Sequence, residues 1–311
     1  MRHALIDVGS NTIRMNVYDI NKEEGTFTHL FSEKEMLGII NFIEDGLLVE
    51  EGIEKLLSIL SSFKRCSDSV SSDCFTCFAT ASLRGLLNKD AVMQKIKESL
   101  GVDVDLISGE NEALYDFYGI KKYFNIEDEK GLLMDMGGGS TEFLSFSNGE
   151  PLKLISEPVA SLAFHKKFVS KILPQKEEIA AMVKYADRKL EKIPWISGKF
   201  DEVFFIGGTA RAIAKIHRLQ KNNLAAPING YLIKTEDLSD MLYSFCSNKR
   251  EFAREIIREA PDRIHTVVPG LILYSRIMKF VKCGSVKISS FGVREGYLFK
   301  NILNQENYRE I

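Results

Sequence analysis

The sequence predicts an α/β protein built from two related halves. Near the N-terminus, an apolar strand, an aspartate, a glycine–serine turn and a longer alternating strand follow one another as "HALIDVGSNTIRMNVYDI". The same order occurs again as "GLLMDMGGGSTEFLSFS". After each of these segments, strands alternate with helices, which is typical of layered α/β folds. We interpret the repeat as an internal duplication of one architecture.

Each half is predicted to open as a β-meander. In the first half, Ile13, Met15 and Val17 alternate with polar residues, which indicates a half-buried strand, and "TFTHLFSE" forms the next strand. In the second half, "TEFLSFS" alternates in the same way. Asn148 and Gly149 then give a strong hairpin signal before the strand "PLKLISEPV".

The rest of the chain alternates between helices and strands. The first half has the helices "VEEGIEKLLSILSSF" and "NEALYDFYGIKKYF" and the strands "CFTCFAT" and "VDVDLIS". The second half has the helices "KEEIAAMVKYADRKLEKI", "TARAIAKIHRL", "TEDLSDMLYSFC" and "PGLILYSRIMKFV", and the strands "EVFFIGG" and "SVKISSF". We place domain I at residues 1–120 and domain II at 121–295, and we expect a C-terminal helix at about 296–311 to pack back on domain I.

Charge and composition exclude several classes of protein. The formal net charge of −2 gives no global basic field for nucleic acid, and no apolar run approaches the roughly 20 residues of a membrane helix. We therefore expect a cytoplasmic protein with neither nucleic acid nor a membrane as its partner. The five scattered cysteines do not indicate a disulfide framework. Cys74 and Cys77 fall on a predicted strand and would face opposite sides, which favours structural thiols over a redox pair.

Three predicted strands end in loops that suit a phosphate group. Asp7 precedes "VGSNT", Asp135 precedes "MGGGST", and "EVFFI" runs into "GGTA". Glycine lets backbone N–H groups approach a ligand, and Ser and Thr add hydroxyl donors. A single loop of this kind would be interpreted as a tight turn, but its recurrence favours phosphate binding. The predicted phosphate-binding residues of these loops are Gly9, Ser10, Asn11, Thr12, Gly137, Gly138, Gly139, Ser140, Thr141, Gly207, Gly208 and Thr209.

These segments carry a family resemblance. "LIDVGSNTIR", "MDMGGGSTE" and "FIGGTARAIA" resemble the two phosphate loops and the adenosine loop of the actin/hexokinase/Hsp70 superfamily. More narrowly, the chain resembles the Ppx/GppA phosphatases, which are exopolyphosphatases and guanosine pentaphosphate (pppGpp) 5'-phosphohydrolases. "FATASLRGLLN", "ISGENEALYDFYG" and "FGVREG" match further family segments in the same order. The resemblance implies two ribonuclease H-like (actin-like ATPase) domains with a cleft between them, and it allows a homodimer.

Two aspartates and a glutamate are the candidate metal ligands. Asp7 and Asp135 end their strands at equivalent places and are predicted to face each other across the cleft, where Mg²⁺ or another divalent cation would use one or two carboxylates. The alternative is that each aspartate caps its own turn. Glu142 shares a strand face with apolar residues, so it needs a partner, either the metal or the catalytic water. The alternatives are an exposed strand end or an ion pair with Arg14 or Arg84.

Glu112 in "SGENEAL" is the candidate general base. With Ser108 as N-cap, an acidic residue in a first helical turn would by itself need no further role. The resemblance implies more, because the family's catalytic glutamate stands directly before the alanine of this segment. Arg14, in the first loop motif, and Arg84, which follows the strand "CFTCFAT" at the same cleft edge, are the candidate phosphate clamps, since guanidinium groups match phosphate geometry.

A basic stripe follows the third loop. Arg211, Lys215 and Arg218 fall on one helix face, which suits a long polyanion, although such a stripe is more often a solvated surface. We expect an exopolyphosphatase that directs in-line attack by water with a glutamate base. The alternatives are a pppGpp 5'-phosphohydrolase of the same family, a small-molecule kinase of the same superfamily, and a non-catalytic nucleotide or alarmone sensor.

Overall fold

The computed structural model describes residues 1–303 and 308–310. Contacts divide the chain into two units. The first contains Met1–Glu112 and the chain from Tyr297 onward, and the second is Ala113–Gly296. The division therefore falls inside one helix, Gly109–Tyr123, whereas the sequence placed it after residue 120. A division within a continuous helix leaves no loop or change of composition that a sequence could show.

The first unit is built on a mixed sheet. Its strands are β1 Arg2–Val8, β2 Thr12–Asn21, β3 Thr26–Met36, the small hairpin of β4 Ile43–Glu44 and β5 Leu47–Leu48, then β6 Cys74–Ala79 and β7 Val104–Leu106. Its helices are α1 Glu50–Ser69, α2 Ala81–Arg84 and α3 Lys89–Leu100, and α4 Gly109–Tyr123 runs into the second unit. β1 pairs antiparallel with β2 and parallel with β6, so it lies inside the sheet. Ala4, Leu5 and Ile6 of β1 are fully buried for this reason.

The second unit repeats this design. Its strands are β8 Lys130–Met136, β9 Thr141–Ser147, β10 Glu150–Glu157, β11 Glu202–Ile206, β12 Tyr231–Lys234 and β13 Ser285–Ile288. Its helices are α5 Ser161–Phe168, α6 Lys176–Leu190, α7 Gly207–Gln220, α8 Thr235–Ser247, α9 Lys249–Glu259, α10 Val267–Phe280 and α11 Val293–Tyr297. α10 is buried along most of its length and packs against α5, α6 and α8.

The two sheets share one strand order. The first reads β3-β2-β1-β6-β7 and the second reads β10-β9-β8-β11-β13, with β12 added at the edge. In each sheet the first meander strand lies between the second meander strand and the next strand of the chain. This confirms the predicted α/β class and the predicted duplication. The hairpin signal is confirmed too, because Asn148 and Gly149 both have positive φ angles, of 52° and 68°.

The C-terminal region departs from the prediction. α11 continues as a π-helix, Leu298–Ile302, and the chain then forms a short strand, β14 Arg309–Glu310, which pairs in parallel with Thr26 and Phe27 of β3. The predicted helix at 296–311 is therefore wrong at residues 309 and 310, and residues 304–307 and 311 lie outside the described residues. The backbone groups of β3 on this side need hydrogen-bond partners, which favours an added strand.

Some elements were not predicted. Among them are α2, α3, α5, α9, β12 and the small hairpin of β4 and β5. α5 has only eight residues, and β12 has four, so neither shows a clear period. α9 has a readable pattern, since Phe252 and Ile256 are buried at a helical spacing. Across residues 1–303 and 308–310, no helix combines the length and the apolar character needed to cross a bilayer.

A buried histidine makes the stability of the protein sensitive to pH. His3 on β1 is 6% exposed, and its Nε2 lies 2.8 Å from the Thr76 hydroxyl. Burial, and then the charge of Lys22, lower the pKa of His3 from 6.5 to about 4. The unfolded chain therefore takes up a proton near pH 6.5 while the folded chain does not. The free energy of unfolding thus falls as the pH drops from 6.5 towards about 4.

We expect His3 to remove about 1.5 kcal/mol of stability between pH 6.5 and pH 5, because one unit of pKa difference corresponds to about 1.4 kcal/mol. His3→Gln can still hydrogen-bond Thr76 but does not titrate, so this variant should lose less stability over the same interval. Urea unfolding midpoints of both proteins at the two pH values measure the difference. Equal losses would assign the pH dependence to other groups.

Candidate active site

The duplicated meanders place two equivalent turns at the ends of β1 and β8. Residues 9–12 form the first loop, in which the Gly9 N–H donates to the Thr12 carbonyl at 3.1 Å. Residues 137–140 form the second loop, in which the Gly137 N–H donates to the Ser140 carbonyl at 3.0 Å. The same hydrogen bond therefore closes both turns. The glycines at the first position leave room for this closure, since a Cβ on Gly9 would lie 3.0 Å from the Thr12 oxygen.

Each loop is fixed from behind by a neighbouring segment. In the first loop, the Asn11 carbonyl accepts from the N–H groups of Leu37 and Gly38, at 3.1 and 2.9 Å. In the second loop, the Gly138 carbonyl accepts from the Ala163 N–H at 3.0 Å, and the Gly137 carbonyl accepts from the Ser161 hydroxyl at 3.2 Å. These hydrogen bonds fix the backbone conformation of both loops. An anion-binding turn needs a fixed backbone so that its N–H groups point at the ligand.

The residue opposite each aspartate distinguishes the two turns. Asp7 is the direct cross-strand partner of Arg14, whereas Asp135 is the direct cross-strand partner of Glu142. Directly opposed residues of an antiparallel pair have Cβ atoms about 4.5–5.5 Å apart on one face. The first unit therefore pairs an acid with a base, and the second pairs two acids. We refer to Asp135 and Glu142 as the acidic pair.

Glu142 is deeply buried for a carboxylate. It is 1% exposed, and its Oε1 accepts a hydrogen bond from the Ser156 hydroxyl at 2.6 Å. An exposed strand end, one of the alternatives for this residue, is therefore contradicted. Two opposed carboxylates repel each other, and the cost rises with burial, so a bound cation would stabilise the acidic pair.

The acidic pair fits a magnesium ion. Within the described residues, no group of three or more His, Cys, Asp or Glu side chains forms a closed metal cage. Mg²⁺ does not need such a cage, because it commonly binds one or two carboxylates and fills its other positions with water and substrate phosphate. Asp135 and Glu142 supply that donor set in the second unit, and Asp7 lies in the first.

The third loop is the start of a helix. Residues 207–209 form the first turn of α7, so their backbone N–H groups lie at a helix N-terminus, where anions are favoured. Ile206 pairs in register with Asp135, and Gly207 has a φ of 93°. A Cβ at Gly207 would collide with the Asp135 carboxylate and lie 3.1 Å from the Met136 carbonyl. Glycine at this position thus leaves the space that the Asp135 side chain occupies.

We expect Gly207→Ala to destabilise the protein by about 1–3 kcal/mol, because alanine is strained at this φ and its methyl group displaces Asp135. The displacement should also weaken the binding of Mg²⁺. Gly284→Ala is the matched control, since a Cβ there meets nothing within 4 Å. Thermal unfolding of both variants, with and without Mg²⁺, measures the two effects. A Gly207 variant as stable as the control would contradict the role of this glycine.

Arg263 is a site residue that the sequence did not indicate. It lies in a short turn, Pro261–Arg263, and its guanidinium packs on Gly208, where a Cβ would lie 2.5 Å from Cζ. Burial lowers the pKa of Arg263, and the carboxylates of Asp262 and Asp135 oppose this effect. A guanidinium that packs on the third glycine loop is well placed to bind phosphate oxygens. No strand end or glycine motif adjoins Arg263, so only tertiary packing reveals it.

Glu112 and Arg84 contact each other in the first unit. Glu112 is 7% exposed, and its Oε2 accepts a hydrogen bond from Arg84 Nη1 at 3.3 Å. The same Arg84 nitrogen donates to the Ile107 carbonyl at 2.8 Å, which fixes the guanidinium. Ser108 caps α4 as predicted, because its hydroxyl accepts from the Asn111 N–H at 3.1 Å. A buried carboxylate held by a fixed arginine is poised to orient a water molecule.

Several side chains that were predicted to bind phosphate or a polyanion form hydrogen bonds within the protein instead. The Thr141 hydroxyl donates to the Val159 carbonyl, and the Thr209 hydroxyl lies 3.1 Å from that of Ser161. Both threonines are buried, at 1% and 0% exposure, so their hydroxyls support the loops. In the basic stripe, Arg218 donates to the Ala226 carbonyl. All three residues of the stripe, Arg211, Lys215 and Arg218, are half-buried, so they do not form a fully exposed basic surface.

Comparisons with known proteins match nearly all of the chain. A model of the Ppx/GppA phosphatase family matches residues 17–305. Exopolyphosphatase 1 of Mycobacterium bovis is 24% identical over 310 residues, covering 97% of this chain and 88% of that protein. The guanosine-5'-triphosphate,3'-diphosphate pyrophosphatase of Pseudoalteromonas atlantica is 22% identical, covering 99% of this chain and 60% of that protein.

Two solved structures share the fold. The crystal structure of an exopolyphosphatase from Cytophaga hutchinsonii has a TM-score of 0.87 and 24% identity, and covers 98% of both chains. A Ppx/GppA family member from Aquifex aeolicus has a TM-score of 0.80 and 22% identity, and covers 99% of both chains.

Proposed function

Because the chain belongs to the Ppx/GppA phosphatase family, we propose that it hydrolyses the terminal phosphoanhydride bond of inorganic polyphosphate. The observation that carries the proposal is the acidic pair directly beside the glycine turn of the second loop. A loop that binds phosphate, next to two carboxylates that bind a cation, is suited to phosphoryl transfer. The exopolyphosphatase names of relatives such as those from Mycobacterium and Haemophilus support polyphosphate as the substrate.

Each group of residues is assigned one task. The backbone N–H groups of the three loops, with Arg14, Arg84 and Arg263, bind and orient the phosphoryl oxygens. Glu112 orients the attacking water and accepts its proton, and the Arg84 contact holds the carboxylate in place for this task. The water displaces the remaining polyphosphate as the leaving group, so the reaction needs no acceptor other than water.

Asp135, Glu142 and Asp7 are the residues that would hold a divalent cation. When bound, Mg²⁺ neutralises charge on the phosphoryl oxygens. The protein positions two of these carboxylates by itself, because the Ser156 hydroxyl hydrogen-bonds Glu142 and Gly207 leaves room for the Asp135 side chain.

A second substrate has specific support. The relative from Pseudoalteromonas that is named a guanosine-5'-triphosphate,3'-diphosphate pyrophosphatase covers 99% of this chain. The 5'-phosphate of pppGpp ends in the same phosphoanhydride group as polyphosphate, so the residues assigned above serve both. A kinase would require a second substrate as acceptor, and a sensor would bind without turnover.

Parallel assays of phosphate release separate these functions. Long-chain polyphosphate, pppGpp and ATP are each incubated with the protein in Mg²⁺ and in EDTA. We expect release from polyphosphate to be fastest and to require the cation. Faster release from pppGpp would favour the guanosine substrate, and binding of every compound without release would favour a sensor. Equal rates in EDTA would contradict the metal assignment.

A further inference from the structure

Two histidines of the second unit have no role in the proposed chemistry. His165 lies on α5, and His265 follows the turn that carries Arg263. His265 Nδ1 lies 3.2 Å from His165 Nε2, and the ring centroids are 4.6 Å apart. The carbonyl oxygen of Ile172 lies 3.1 Å from the same His165 nitrogen. His165 Nε2 therefore has a second imidazole nitrogen and a carbonyl oxygen within 3.2 Å.

The spacing of these atoms matches that of ligands around one metal ion. Nitrogen ligands lie about 2.0–2.1 Å from zinc, so two of them in a tetrahedral arrangement are about 3.3 Å apart. Hydrogen bonding alone satisfies the cluster less well. The Ile172 carbonyl can accept a hydrogen bond from only part of this group at a time, because two ring nitrogens share it and also face each other.

The chemistry of the ligands selects the class of ion. Imidazole nitrogen suits Zn²⁺, Ni²⁺ and Cu²⁺, whereas Mg²⁺ prefers oxygen ligands. Imidazole binds a metal ion in its neutral form. His265 is exposed and His165 is half-buried, so an ion can reach both rings from solution.

We propose that His165, His265 and the Ile172 carbonyl form a binding site for a divalent transition metal ion, of which Zn²⁺ is the representative, separate from the acidic pair. The three protein ligands leave one tetrahedral position open, as in zinc sites that bind water or substrate. Zinc at this site joins two segments that are 100 residues apart in the sequence.

The same two segments support the phosphate loops. α5 donates the Ala163 N–H to the Gly138 carbonyl, and Arg263, two residues before His265, packs on Gly208. An ion that ties His165 to His265 therefore ties the support of the second loop to that of the third. We expect bound zinc to restrict both loops and to slow phosphate release. This effect on release rests on the proposed function, whereas the binding of zinc does not.

Calorimetric titration of the full-length protein with Zn²⁺, in saturating Mg²⁺ and without substrate, tests the site. We expect one zinc ion per chain in the wild type. His165→Gln and His265→Gln should each weaken zinc binding by at least about tenfold, the lower end of what the loss of even a supporting partner costs a metal site. His29→Gln is the matched control, because His29 belongs to the first unit and its Nε2 lies 2.9 Å from the Ser32 hydroxyl, away from both proposed ligands in the sequence.

Further readouts keep the test decisive. Histidine ring NMR of the wild type should show two rings shifting together as zinc is added, which requires no variant to fold. Unchanged zinc affinity in both variants, or no shift of these rings, would overturn the site. Zinc that binds as expected but leaves phosphate release unchanged would overturn only the link to the loops. If no phosphoanhydride is hydrolysed at all, the proposed function fails while the titration still decides the site.

Discussion

Replacing Glu112 by glutamine is expected to lower the turnover number for polyphosphate about 10²–10⁴-fold, the contribution typical of a positioned general base. Glutamine has nearly the same size and still accepts a hydrogen bond from Arg84, so the side chain should keep its place. It cannot accept the proton of the attacking water. Binding of polyphosphate should therefore stay close to that of the wild type, and the loss should appear in kcat rather than in KM.

Glu110→Gln provides the control for this prediction. Glu110 lies in the same helical turn as Glu112 but is exposed. Its own backbone N–H and the Ser108 hydroxyl lower the pKa of Glu110, as expected for an acid that caps a helix. We expect this variant to turn over at nearly the wild-type rate. Steady-state kinetics and calorimetric binding of polyphosphate measure both variants. Full turnover in Glu112→Gln would remove Glu112 as the base.

The second large effect is expected from Glu142→Gln. The change leaves an acceptor for Ser156 but removes one charge of the acidic pair. We expect Mg²⁺ to bind at least about tenfold more weakly and turnover at a fixed Mg²⁺ concentration to fall about 10²-fold or more, since a catalytic metal contributes several kcal/mol to the transition state. Electron paramagnetic resonance of Mn²⁺, used as a probe for Mg²⁺, measures the binding without relying on activity.

The acidic pair also predicts a change of stability with a definite sign. Without a divalent cation, removing one of two opposed carboxylates relieves repulsion, so Glu142→Gln should unfold at the same temperature as the wild type or higher. With Mg²⁺, the wild type should gain more stability than the variant. Glu150→Gln, an exposed acid of the adjacent strand β10, should show neither effect. A Glu142 variant that is less stable without the cation would point to a structural role.

The sequence predicted the duplicated strands and loops because their signals are local. The alternation around Asp135 and its seven-residue spacing to Glu142 match those around Asp7, and the structure places both pairs in cross-strand register. The contacts that could not be predicted from the sequence are those that depend on tertiary packing. Arg263 reaches Gly208 from a turn far along the chain, and the Arg84–Glu112 contact joins a segment after β6 to the start of α4.

Burial also decided the roles of hydroxyl groups that the sequence could not distinguish. The hydroxyl residues of the glycine loops appear alike in the sequence, yet Thr141 and Thr209 point their hydroxyls at neighbouring protein atoms. A Ser or Thr residue beside glycine is compatible with a ligand contact and equally with a structural hydrogen bond. These two roles are distinguished by the atoms that the hydroxyl contacts in the folded protein.

The strand formed by Arg309 and Glu310 sets the order in which the protein can be completed during synthesis. The second unit, Ala113–Gly296, is contained in one continuous stretch, so all of it has been translated before the chain returns to the first unit. The first unit obtains the strand next to Thr26 and Phe27 only when Arg309 and Glu310 have left the ribosome. Although the first unit begins first, it is therefore the second unit that can finish folding first.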